Sequence, residues 1–269
     1  MFAAVKHAAL NLYRRNPVLM TFAVLALLGL PWMAIAYFFD TRLITGLNPW
    51  VKPLKFTSAF ALYFVTFGWL LSYLPRPSRA VSIISWVSAL CVLLEGPAMV
   101  LQSARGETSF YNTGTLFDGL LYGMMSAGAL IQAGMLAWAL GLFCTRRIEL
   151  PKLPLYGIRA GLALWLLGII PALVMVALGQ HGVGVADGGP GLPLLNFSTL
   201  GGDLRIAHFL GLHALQLLPL AGLALHRLQG TISLRGGLIA FTLLAAVYTL
   251  AMIATFAQAM AGLPLIALN

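Results

Sequence analysis

Few residues in this sequence have types and spacings that could carry chemistry, and most of them lie inside long apolar runs. Glu95 sits in AVSIISWVSALCVLLEGPAMVLQ (80–102), where Ser88, Cys91, Glu95, Met99 and Gln102 recur every three or four positions. On a helix these five share one face. LRIAHFLGLHALQLLP (204–219) supplies His208, His213 and Gln216. A carboxyl group or an imidazole inside hydrocarbon is costly and marks a functional site by default; both groups exchange protons or ligate metals.

Helical rise sets the expected depths. Glu95 lies ~10 Å below the end of its run near Gln102, and His213 lies ~10 Å below the start of its run near Ile206, with His208 only ~3 Å down. Glu95 and His213 are therefore expected to meet. Gln216 shares the face of His213, whereas His208 is about 140° round the helix, so the histidines are not a single-face chelating pair. A second stripe, Asp118, Tyr122, Met125 and Gln132, follows in the next run, and a third, Tyr248, Met252 and Thr255, in the last.

The chemistry expected of this set is the binding of a small cofactor or lipid-soluble substrate, possible ligands being haem, a transition metal or quinone. Glu95 and His213 form the proton-exchanging or ligating pair. His208, Met99, Gln102, Asp118, Tyr122 and Gln216 line the site. Lys52, Lys55, Arg105, Asp203 and Arg205 stand at its mouth. A metal would fall to His208, His213 and Glu95, and a haem to one histidine with Met99 or Met125. Proton-coupled transport or conduction is the alternative, favoured by any polar route continuing to the opposite side, for which Gln132 is the hint. A scaffold role in a larger membrane complex or a homo-oligomer is a third. For each histidine the plain alternative is a hydrogen bond between helices.

The elements that must position these groups are helices. Hydrophobic residues make up 60% and charged residues 9% of the chain, too few charges to cover a soluble surface of this size. Seven runs reach the length that a bilayer core demands, at about 17–39, 55–75, 80–102, 116–143, 157–179, 206–225 and 236–259. One all-α bundle of seven transmembrane helices is expected, spanning 1–269 as a single domain. The basic segment 1–16 precedes a run too long, and lacking the small-residue cleavage site, for a removed signal peptide. Gly123, Ala127 and Gly128 are expected to permit close helix packing.

The net charge of +9 does not point to nucleic acid, because no basic stripe with interleaved aromatics exists. Of the 16 Lys and Arg residues, eleven fall in the N-terminus and the second, fourth and sixth connections; Arg42, Lys52, Lys55, Arg105 and Arg205 fall in the other three. The positive-inside rule then predicts a cytoplasmic N-terminus and an outer C-terminus, in a membrane of the bacterial inner type. The first, third and fifth connections mix acids with bases, as a capped vestibule would. The longest, 180–205, contains seven glycines and is expected to fold back over the bundle or act as a lid. No lysine in the last run offers a retinal Schiff base. Cys91 and Cys144 differ too much in expected depth for a disulfide.

Overall fold

The computed structural model describes residues 2–75, 77–193 and 195–267, without the side chains of 2–6, 8 and 9. Arg76, counted above among the basic-side charges, lies outside the described residues, as does the side chain of Lys6. The chain is mostly helical, and among the described residues seven helices are long and apolar enough to cross a membrane. It divides into two compact units, Met1–Leu142 and Phe143–Asn269.

The first unit opens with α1 (Phe2–Arg15), a helix the sequence reading did not anticipate, followed by α2 (Pro17–Phe39), α3 (Val51–Leu71), α4 (Arg79–Arg105) and most of α5 (Leu116–Thr145). Asn16 caps α2, its side-chain Oδ1 accepting from Leu19 N at 3.2 Å, and Pro17 takes the first position, where no N–H is needed. α3 starts four residues before the predicted 55. A short polar corner explains the shift: Trp50 N donates to Asn48 Oδ1 at 2.9 Å and Trp50 Nε1 to Asp40 Oδ2 at 2.9 Å. That corner also pairs Arg42 with Asp40 at 2.6 Å, and the guanidinium holds the Asp40 carboxyl well below the usual carboxylate range. Ser78 caps α4, and Gly106 ends it in the left-handed conformation at φ 80°. α2, α3 and α4 pack on one another over Leu19, Phe64, Phe67, Leu71 and Ile84. α5 makes no comparably close backbone approach to α3 or α4, and is joined to them through side chains.

In the second unit α6 (Lys152–Leu167) and α7 (Ile169–Leu178) form one span, interrupted at Gly168; α8 (Leu204–Arg227) and α9 (Leu234–Met260) complete it. Pro171 cannot donate to the carbonyl four residues before it, which accounts for the break. α6 and α8 pack through glycine. A Cβ at Gly157 would stand 2.6 Å from Leu218 O, one at Gly222 2.5 Å from Leu153 O, and one at Gly211 2.3 Å from Gly168 Cα. The close packing expected of the fourth run is therefore found here instead. A Cβ at Gly123 would meet nothing within 4 Å, and one at Gly128 only ordinary contacts with Cys91.

The 180–205 connection is tied rather than open. β1 (Gly182–Val183) pairs antiparallel with β2 (Gly202–Asp203), and a Cβ at Gly202 would collide with Ala259 O, so the connection lies directly on the end of α9. Asp187 accepts from His181 N and Gly182 N, at 3.1 and 3.0 Å, and pairs with the His181 ring at 2.6 Å. Partial burial alone would raise the Asp187 carboxyl, but the His181 ring and these N–H groups bring it down to about 2.

Candidate functional site

The polar residues of the first unit collect on the face of α4 that looks toward α3 and α5. The stripe read from the sequence is present: Ser88, Cys91, Met99 and Gln102 are buried, and Glu95 is half-buried among them. α4 runs unbroken through Gly96 and Pro97.

One end of the stripe is closed by charge. Gln102 Nε2 donates to Asp118 Oδ1 at 2.8 Å, and Arg105 Nη1 donates to the same oxygen and to Gln102 Oε1, both at 2.5 Å. Thr115 Oγ1 donates to Asp118 Oδ2 at 2.6 Å. The Arg105 guanidinium lies 4.8 Å from the centre of the Phe117 ring. Three residues predicted to line or guard a site are thus brought together, though they bond chiefly to one another. Asp118, with 3% of its side chain exposed, ties the last turn of α4 to the first turn of α5.

Beneath this closure lies an aromatic and thioether layer. Met99 and Met125 are fully buried against Phe56, Phe60 and Phe110. Lys52, in the first turn of α3, sits 3.9 Å from the centre of the Phe110 ring and interacts electrostatically with Glu95. Tyr122 meets Tyr111 edge-on at 5.6 Å, and its buried hydroxyl has no hydrogen-bond partner among the described residues. Lys55 is half-buried one turn further along α3.

The other end was only hinted at by Gln132. Its Nε2 donates to Tyr63 Oη and, at 3.2 Å, to Ser88 Oγ, so that one amide joins α5, α3 and α4. Gln132 Oε1 is buried with no partner among the described residues. One turn below Ser88, Ser85 Oγ accepts from Asn16 Nδ2 at 2.9 Å. Ser85, Ser88, Cys91, Glu95, Met99 and Gln102 therefore follow one line along α4, about 25 Å from end to end by helical rise. Tyr63, Ser85 and Asn16 were missed by the sequence reading. Ser85 continues the three-and-four spacing and was detectable; a lone tyrosine in an apolar run and a helix-capping asparagine carried no such signal.

The second unit holds the remaining predicted residues. His208 Nδ1 lies 2.7 Å from Gly168 O, at the break between α6 and α7, which is the interhelical hydrogen bond held open as the plain reading of a membrane histidine. His213 lies against Phe209, ring centres 4.2 Å apart. Gln216 Oε1 is buried without a partner among the described residues. Asp203 caps α8 and accepts from Ser198 N at 2.8 Å, while Arg205 Nη2 donates to it at 2.6 Å and to Asn196 O. These two bind the 180–205 connection to the start of α8. Tyr248, from the α9 stripe, donates to Leu210 O at 2.6 Å.

Among the described residues, no group of three or more His, Cys, Asp or Glu side chains is arranged to hold a metal ion. Comparison with protein-family models, with curated proteins and with solved structures finds no match to the chain. The site is therefore interpreted from its own chemistry.

Proposed function

We propose that this chain is a proton-conducting membrane protein of the transporter or channel class, with its path along the α4 face of the first unit. The observation that carries the reading is that polar side chains continue along the α4 face past Glu95 and Cys91 to two hydrogen-bonded groups, Tyr63–Gln132–Ser88 and Asn16–Ser85. A cofactor site needs polar groups at one depth only; a path needs them at every depth. Hydroxyl and carboxyl groups pass protons, with water spanning the intervals between them, and Glu95 is the group on the line that can hold and release one. By the basic-residue asymmetry the N-terminus is cytoplasmic and the C-terminus outside, in an inner-membrane setting. Arg105, Gln102 and Asp118 then close the outer end, and Lys52 balances Glu95 when it is ionised.

Purified protein in liposomes containing a pH-sensitive dye tests this. A potassium-diffusion potential should drive proton entry, and Glu95→Gln should reduce it about tenfold or more while leaving the melting temperature unchanged. Wild-type liposomes no more permeable to protons than empty ones would overturn the proposal.

A second reading, binding of a quinone or similar lipid-soluble molecule in the same interior, is favoured by the buried, unpartnered Tyr122 hydroxyl. A donor so placed suits a carbonyl of the ligand. Organic extraction of the purified protein, followed by an ultraviolet spectrum and repeated with Tyr122→Phe, distinguishes it: a co-purifying quinone lost in the variant would favour this reading over conduction.

A further inference from the structure

The second unit carries a groove of about 530 Å³ between α6 and α9. Both helices begin at the same end of the unit, because α8 returns the chain between them. Besides Leu164 and Phe241, the walls are small side chains: Ala160 and Ala163 on α6, and Thr242, Ala245, Ala246 and Thr249 on α9. The two threonine hydroxyls are turned back onto their own helix, donating to Leu238 O at 2.9 Å and Ala245 O at 2.7 Å. Their methyl groups are left to face the groove, so the wall is apolar along its length. Because the α6–α7 span and α9 are both long and apolar enough to cross a membrane, what meets that wall in a bilayer is hydrocarbon.

Charge gathers at the end where the two helices begin. Tyr156 and Arg159, one to two turns into α6, line the groove, and Arg235, in the first turn of α9, lines a second hollow along α9 that shares Thr242 with it. Arg159 spends Nε and Nη2 on Phe143 O, at 3.0 and 2.7 Å, which fixes the guanidinium in place. Lys152 and Arg235 occupy the first turns of α6 and α9, and neither first turn contains an acid. Cations at helix N-termini oppose the helix dipole, so these positions suit an anionic neighbour better than they suit the helices alone. Glu149 is the acid of the preceding connection, beside Arg146 and Arg147.

We propose that this groove binds an anionic phospholipid from the surrounding leaflet, an acyl chain lying along the alanine and threonine wall and the phosphate meeting Arg235 and Arg159. A free phosphate would leave the wall uncovered, and a neutral lipid would leave the arginines unanswered. The proposal is independent of the proton path in the first unit.

Native mass spectrometry of the full-length protein tests it, with phosphatidylglycerol and phosphatidylcholine offered in equal amounts. Phosphatidylglycerol should be retained preferentially, Arg235→Gln should weaken that preference about fivefold, and Ala163→Leu with Ala245→Leu should abolish retention of both lipids. Millimolar inorganic phosphate should not displace the bound lipid. Equal retention of the two lipids, displacement by phosphate, or a lipid-free dimer that the leucine pair dissociates would each overturn the assignment. Should the leucine pair fail to fold, the exposed Arg235→Gln still decides the matter, since unchanged preference in that variant refutes the headgroup contact.

Discussion

Between α6 and α8 the backbones touch at glycine, whereas α5 is held to α3 and α4 by amides, hydroxyls and a carboxylate. The first arrangement excludes everything but the two helix backbones: a Cβ at Gly161 would already lie 2.9 Å from Ala214 O. The second leaves buried polar atoms without partners among the described residues, at Tyr122 and Gln132; the second unit has two of its own, Gln216 Oε1 and Gln258 Oε1, on α8 and α9. In hydrocarbon, where apolar surface alone gives helices little reason to associate, close packing and interhelical hydrogen bonds are the two means of holding a bundle together. One unit relies mainly on the first and the other on the second. The contrast argues that packing explains the glycine-rich pair, while the polar interior calls for a functional explanation.

Substitutions can break that contrast or sharpen it. The largest effect is expected from Gly211→Leu, which forces a side chain against the Gly168 backbone and should cost about 3 kcal/mol or more, seen as loss of monodisperse protein in detergent. Gly123→Leu, in the open part of α5, should be nearly neutral by the same measurement. Comparable losses in both would mean that α5 is as tightly packed as α8. Next comes Gln132→Leu. Removing an amide that serves both Tyr63 and Ser88 should cost about 0.6–1.7 kcal/mol in melting experiments, yet reduce proton flux severalfold; a stability loss with normal flux would make the group purely structural.

Histidine changes in the second unit provide the reverse case. His208→Phe, which deletes the bond to Gly168 O, should cost about 1 kcal/mol and leave flux unchanged. His213→Ala should also spare flux. If His213→Ala instead lowered flux as much as Glu95→Gln does, that result would support the expected Glu95–His213 pair and the comparison between the units would fail. The smallest effect concerns Asp187. Its carboxyl is held at about 2 in the folded connection, below the 3.8 of an unperturbed aspartate. The stabilisation is fully present above about pH 4 and is lost as pH falls toward 2. Amide protection factors of residues 182–203, corrected for the intrinsic exchange rate, should therefore fall over that interval, and Asp187→Asn should make them independent of pH there.

Length and apolarity alone made the seven spans legible, because a bilayer imposes a minimum run that no soluble core requires. Their ends were less so. The start of α3 depends on Asn48, Trp50 and Asp40 meeting in space, which spacing along the chain does not encode. The α4 stripe was legible as far as its three-and-four period was followed, and stopping at Ser88 rather than Ser85 left out its last turn, where Asn16 joins it. The histidines attracted attention by residue type, but type does not reveal that a broken helix nearby presents a carbonyl, as Gly168 does to His208. Likewise a run of small residues shows that close packing is allowed, and not which neighbour arrives to use it. Gly123 and Gly211 look alike in sequence and differ completely in surroundings.

The Asn16–Ser85 bond has a consequence for how the protein is made. Its partners are separated by 69 residues, which a ribosome adding about 5–20 residues per second produces in roughly 3–14 s. Throughout that interval α2 can already be inserted while the amide that caps it still lacks its partner. Until α4 arrives, water is the partner left to the Asn16 amide.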